Sequence, residues 1–303
     1  MPYHYTTGRG PQRPASAVPT FEFYRLRFHF QALDPVQFPP GGSANMVRGA
    51  CGIFLRKAAP PAIYARLFEP GSRLGAAPSG LADWPRPFVF RVAHLDGLSV
   101  LPNASFSFDL NLFDLHQPAR PYFQEAFAAW AASGIGPGQR RARLDRVDGL
   151  GLNDQIGDSA PCSLPLDPEL DFTEHTTVRF VTPTELKSGG QPVDRPEFGV
   201  LFARVRDRIA TLRALFGQGP LEIDFHGMGE RASSVNLIRC DLAWQHAART
   251  SSRTGQTHPL GGFIGEAEYQ GVLREFMPWL RAARWTGVGR QTVWGKGEFH
   301  ILR

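Results

Sequence analysis

The stretch of this chain whose residue types point most directly to chemistry is Thr286-Gly287-Val288-Gly289-Arg290-Gln291-Thr292-Val293-Trp294-Gly295-Lys296-Gly297. Two Gly-x-Gly pairs flank five residues, Arg290 and Lys296 accompany them, and the strand-like run from Glu298 to Leu302 follows at once. Glycine lets a backbone curl with its N–H groups turned inward, which is how main chain approaches phosphate. The spacing fits neither the dinucleotide fingerprint nor the phosphate loop of nucleotide hydrolases, since both of those lead from a strand into a helix. A pair of tight turns around a hairpin is the alternative left open by the residues alone.

Two histidines stand near clustered cations. His29 closes an alternating run in which Arg25 and Arg27 share its side, so it can titrate beside a bound polyanion; an exposed strand histidine without a role is the competing reading. His258 lies beside Pro259 and follows Arg249 and Arg253, where it could donate a proton to a leaving oxygen, or simply bond its own backbone in a turn. His226, in a polar turn, and His246, at a strand end, read as structural or solvent-facing. Arg48, Arg56 and Lys57 fall on the exposed side of one helix, as phosphate contacts or as a solvated face. Trp294 suits either base stacking or packing.

The elements that must position these groups come from periodicity. From Phe21 to Phe30, Tyr24, Leu26, Phe28 and Phe30 alternate with Arg25, Arg27 and His29, which is a strand with one apolar and one cationic face. Val47, Cys51, Phe54 and Leu55 give a helix over Asn45–Lys57, with Ser43 as its cap and Pro60-Pro61 stopping whatever follows. Pro87–His94 and Ser105–Phe113 read as strands, Tyr122–Ala132 as a helix and Arg141–Val147 as a strand. The second half repeats that order: strand Thr177–Pro183, helix Phe198–Phe216, strands Val235–Trp244 and Gly262–Tyr269, helix Val272–Ala283 with Pro278 as its weak point, and strand Glu298–Leu302. The expected fold is α+β, with two tandem ferredoxin-like (βαββαβ, RRM-like) domains over 20–170 and 171–303, after a disordered tail over 1–19.

At 303 residues, 42% hydrophobic and 20% charged, the chain has the composition of a globular protein of about two domains. Its net charge is +5, and Lys57, Lys187 and Lys296 are the only lysines among 33 basic residues. Arginine suits bidentate phosphate contact and stacking, although GC-rich codon usage enriches it too. Cys51, Cys162 and Cys240 are odd in number and lack Cys-x-x-Cys spacing, which argues against a disulfide framework or zinc site and fits a reducing cytoplasm. No apolar run approaches the length of a membrane span.

With these elements placed, the chain resembles the CRISPR-associated RNA-processing endoribonucleases of the repeat-associated mysterious protein superfamily. Asn45-Met46-Val47-Arg48-Gly49-Ala50-Cys51-Gly52-Ile53-Phe54-Leu55-Arg56 resembles the family's LRGAFGxxLR segment, and Val178-Arg179-Phe180-Val181-Thr182-Pro183-Thr184-Glu185-Leu186-Lys187 its FxTPxxLK strand. Leu260-Gly261-Gly262-Phe263-Ile264-Gly265-Glu266 is similar to the GGFxGE strand, and residues 287–297 to the closing glycine-rich loop. The resemblance implies metal-independent cleavage of CRISPR repeat RNA, in which a ribose 2'-OH attacks the phosphate to leave a 2',3'-cyclic phosphate and a 5'-OH, with no cofactor. It implies His29 and His258 as candidate catalysts. Candidate RNA contacts are Arg25, Arg27, Arg48, Arg56, Lys57, Arg249, Arg253, Arg290 and Lys296, together with Gly287, Gly289, Gly295 and Gly297. Many members carry a histidine near the first helix, and the helix here has none. That departure keeps open a non-catalytic, RNA-holding subunit whose partners are other subunits of a CRISPR effector complex.

Overall fold

The computed structural model describes residues 18–70, 84–116, 118–157, 160–246, 248–250, 257–259 and 261–302, so nearly all of the expected tail lies outside it. The fold is α+β. Its first half runs β1 (Thr20–Ala32), α1 (Ser43–Ala58), α2 (Pro61–Phe68), β2 (Phe88–Arg91), β3 (Ser105–Leu112), α3 (Arg120–Ser133), β4 (Ala142–Leu150) and β5 (Cys162–Pro165). The second runs β6 (His175–Thr184), α4 (Phe198–Phe216), α5 (Phe225–Ser233), β7 (Asn236–Gln245), β8 (Gly262–Gln270), α6 (Met277–Thr286) and β9 (Phe299–Leu302).

The first sheet has the order β2-β3-β1-β4 and the second β7-β8-β6-β9, with every neighbouring pair antiparallel. Alternation along β1 works as the sequence requires. Leu26, Phe28 and Phe30 join a core with Val47, Cys51 and Leu55 of α1 and Phe123 and Phe127 of α3. Phe28 opposes Phe108 on one side and Val147 on the other, so its side of the sheet is continuous with both neighbours. In the second half, Leu201, Phe202, Val205, Ile209 and Leu212 line the buried stripe of α4 against Val178, Phe180 and Ala267.

The halves are interlocked. Phe21 and Phe23, at the start of β1, belong to the second core, and Phe23 meets the Trp285 ring at 5.7 Å. The Arg213 Nε donates to the Thr20 carbonyl at 2.8 Å, and Asn111 Nδ2 donates to the Trp285 carbonyl at 2.9 Å. No helix among the described residues is long and apolar enough to cross a membrane.

Four local expectations need correction. Ser43 is the first residue of α1 rather than its cap; its backbone N–H is taken by the Asp96 carboxylate at 2.9 Å, a capping partner from outside the helix. The proline pair does not end helical structure, because Pro61 opens α2 at a position where a missing N–H has no intrahelical partner to lose. Pro278 likewise starts α6 instead of weakening it, and the polar turn around His226 is helix α5, with Asp224 Oδ1 accepting from the Gly227 N–H at 2.9 Å.

Candidate nucleic-acid interface

The glycine segment leaves α6 and bridges the two cores. Val288 is buried in the second core and Val293 in the first, while Trp294 packs against the first and lies under the Arg48 guanidinium at 4.0 Å. Gly287, Gly289, Gly295 and Gly297 all have positive φ. At Gly297 a Cβ would come within 1.9 Å of the Val288 carbonyl oxygen, and at Gly289 within 2.4 Å of that of Glu185, so both positions exclude a side chain.

The amides are engaged differently from the expected phosphate cradle. The Val288 N–H donates to Gly297 O at 2.9 Å, Arg290 to Glu185 O at 3.1 Å, Gly295 to Thr292 O at 3.0 Å and Gly297 to Pro183 O at 3.1 Å. These glycines thread the segment between the halves, and the cations it carries stand at its edge. Arg290 pairs with Glu185 at 2.9 Å, with 44% of its side chain exposed. Lys296 is half-buried, and desolvation lowers its pKa against the opposing pull of Asp96.

Beside the segment lies a cleft of about 300 Å³. Its lining includes the cations Arg86, Lys187, Arg204, Arg208 and Arg290, the indoles Trp84 and Trp294, and one carboxylate, Glu185. Arg204 and Arg208 are one turn apart on α4. Arg208 is only 6% exposed; burial, reinforced by nearby Arg91, brings its pKa down to about 9. Neither α4 arginine emerged as a site residue from the sequence. The available signal was Arg208 itself, which interrupts an apolar stripe at Leu201, Val205 and Leu212.

His29 lies elsewhere. Its imidazole is half-buried on the face of β1 opposite the first core, with Nε2 at 2.8 Å from Asp148 Oδ2 on β4. Arg146 Nε reaches the same oxygen at 3.0 Å, Arg143 bonds Gln31 at 2.9 Å, and Arg27 grips Asp109 through two bonds of 2.7 and 2.9 Å. The hydrogen bond to Asp109 is the main reason the Arg27 pKa is raised. This face therefore carries a histidine in contact with a carboxylate, among three arginines, Arg27, Arg143 and Arg146. Among the described residues, no group of three or more His, Cys, Asp or Glu is placed to hold a metal ion.

The other expected contacts divide. Arg25 is buried: it bonds Gly151 O and Asp154, and lies 4.1 Å over the Trp285 ring, which makes it a fastener between the halves. Arg48 covers Phe68 and Trp294, at 4.6 and 4.0 Å. Arg56 and Lys57 are exposed at the end of α1. Arg249 and His258 pair across a short antiparallel ribbon, Ala248–Thr250 with Thr257–Pro259, and Arg253 lies outside the described residues.

Residues 178–299 match the family model of the CRISPR-associated endoribonuclease Cas6, and a second model, described as an N-terminal domain, matches residues 21–160. No curated protein matches by sequence. Among solved structures, a product complex of Thermus thermophilus Cas6 is similar with a TM-score of 0.60 at 19% identity, covering 92% of this chain and 100% of that one. Another structure of Thermus thermophilus Cas6 gives 0.53 at 17% identity, covering 94% of this chain and 100% of that one. A partial Cas6-RT-Cas1–Cas2 complex gives 0.57 at 11% identity, covering 94% of this chain and 47% of that one. The resemblance to the Cas6-type endoribonucleases drawn from four sequence segments is upheld.

Proposed function

We propose that this protein binds CRISPR repeat RNA and cuts its backbone without a metal ion, releasing a 2',3'-cyclic phosphate and a 5'-OH. The observation that carries this reading is the cation-lined cleft formed by Lys187, Arg204, Arg208 and Arg290, because it adjoins the glycine segment inside the stretch that matches the Cas6 family model. Its arginines suit phosphate oxygens, and the two indoles offer surfaces for a base. The fold reading is two tandem ferredoxin-like units, 20–170 and 171–303; the equivalent strand orders of the two sheets support it. Three free thiols, Cys51, Cys162 and Cys240, fit a reducing cytoplasm.

In this mechanism a general base removes the 2'-OH proton, the resulting oxygen attacks the adjacent phosphorus, and a general acid protonates the departing 5'-oxygen. His29 is the candidate base. Its imidazole, with Nε2 2.8 Å from Asp148 Oδ2, would receive that proton. His258 is the candidate acid. The arginines beside His29, Arg27, Arg143 and Arg146, would neutralise charge as it builds on the phosphorane oxygens, and RNA contact away from the cut is assigned to Arg290 and Lys296, with Arg56, Lys57, Arg249 and Arg253 as further candidates.

A second reading is a non-catalytic subunit that holds RNA within a larger CRISPR assembly. The absence of histidine from α1 favours it, and the similarity to a Cas6 unit found in complex with other Cas proteins supports such partners. Incubation with labelled repeat RNA in excess EDTA separates the two. A cyclic-phosphate product supports the nuclease, whereas tight binding without cutting supports the holding subunit.

A further inference from the structure

The last turn of α6 leaves four backbone carbonyls, those of Ala283, Arg284, Trp285 and Thr286, beyond the reach of the helix's own amides. The first is answered by main chain, from the Gly287 N–H at 2.8 Å. The other three are answered by side chains from three different elements. Arg91 Nη2, at the end of β2, donates to Arg284 O; Asn111 Nδ2, in β3, donates to Trp285 O at 2.9 Å; and Arg208 Nε, in α4, donates to Thr286 O at 3.0 Å. Two of these donors belong to the first half and one to the second. Asn111, Arg208 and Thr286 are all buried, so water does not stand in for the bonds. The charged side chain acting on Arg208 is Arg91, a like charge, so what offsets the burial of Arg208 is the negative end of α6.

We infer that Arg91, Asn111 and Arg208 are positioning residues: by taking the last three carbonyls of α6 they fix, from both halves at once, the point from which the glycine segment departs. The segment turns away at Gly287, with φ +67°, directly after the clamped turn. From there Val288 enters the second core and Val293 the first, so an error at the departure point is carried along the whole segment. The clamp thus sets where Arg290 and Lys296 stand relative to the first half, which carries His29. That this placement serves RNA cutting rests on the proposed function; the clamp itself stands on the geometry of the helix end.

The test uses the full chain as wild type, Asn111→Leu, Arg208→Met and Arg208→Lys, with Arg213→Met as a control that removes a bond from α4 to Thr20 O without touching α6. Hydrogen exchange is followed over residues 287–297, where the Val288, Arg290, Gly295 and Gly297 amides are bonded, and over β8 as a reference. Loss of one clamp bond should speed exchange over 287–297 by about fivefold or more relative to β8. Arg208→Lys, which keeps a cation at the helix end, should recover part of that protection, and Arg213→Met should leave it at the wild-type level. Asn111→Leu removes one donor together with an Oδ1 that has no hydrogen-bond partner, so it decides should Arg208→Met fail to fold. Unchanged exchange over 287–297, or an equal rise over β8, overturns the clamp. Single-turnover cutting of labelled repeat RNA is the second arm, read in Asn111→Leu because Asn111 does not line the cleft. Cutting at saturating RNA should slow several-fold while affinity holds. Faster exchange with unchanged cutting overturns the role in the reaction. A wild type that does not cut overturns the proposed nuclease and that role with it, while exchange still decides the clamp.

Discussion

Gly297→Ala should be far more damaging than an alanine at an unobstructed glycine of similar conformation, and Gly189 provides that control. Gly297 has φ +72° and Gly189 φ +56°, so both replacements pay the left-handed penalty of about 1–2 kcal/mol, partly offset by reduced freedom of the unfolded chain. Around Gly189 an added Cβ meets nothing within 4 Å, and a net loss of about 1 kcal/mol is expected. At Gly297 the Cβ would lie 1.9 Å from Val288 O, so the backbone must retreat by roughly 1 Å to reach tolerable contact. That retreat breaks the 2.9 Å bond from Val288 N–H to Gly297 O and pulls on the bond from Gly297 N–H to Pro183 O. Two weakened hydrogen bonds at about 1 kcal/mol each, with disturbed packing of buried Val288, bring the loss to about 3–5 kcal/mol. Denaturant titration of both variants gives the comparison. A difference under about 1 kcal/mol would refute the close-approach account of the segment.

If His29 is the base, His29→Ala should abolish cutting while RNA affinity changes little, and Asp148→Asn should slow cutting and alter its pH profile by changing how the imidazole is held; single-turnover cleavage across pH reads both, and unchanged rates remove His29 from the mechanism. Burial alone would raise the Glu298 pKa, but Arg91 and the bond to His300 outweigh it and hold the carboxylate below its usual range. A depressed carboxylate contributes stability above its unfolded pKa, and that contribution disappears as pH falls through the folded value. Acidification below about pH 4.5 should therefore weaken the Arg91–Glu298 link between the halves, and Glu298→Gln should flatten that part of the Tm profile; an identical acid limb in the variant would contradict it.

Much of the architecture was readable locally. In β1 the alternation of Phe28 and Phe30 with Arg27 and His29 separates the two faces, and the stripe from Leu201 to Phe216 requires a helix that buries one side. Helices α2 and α5 were missed because Pro61 and the glycines at 227 and 229 are read as breakers, whereas a first-turn position and an Asp224 cap make helix acceptable there. The glycine segment was legible as backbone that needs positive φ. Its partners were not, because Pro183 O and Glu185 O come from the end of β6 and the residue just after it, about a hundred positions earlier, and no local pattern records which carbonyl will approach.

The candidate site divides in the same way. The sequence alone determined that the chain carries a glycine-rich segment with Arg290 and Lys296, a strand with His29 on its cationic face, and four segments resembling one family of RNA-cutting proteins. Tertiary structure alone decided that Arg25 fastens the halves, that His29 faces Asp148 away from the glycine segment, and that Arg204 and Arg208 open into the same cleft as Arg290. The reason is that periodicity encodes which face of an element leaves water, whereas charge compensation depends on what arrives opposite that face once the chain has closed.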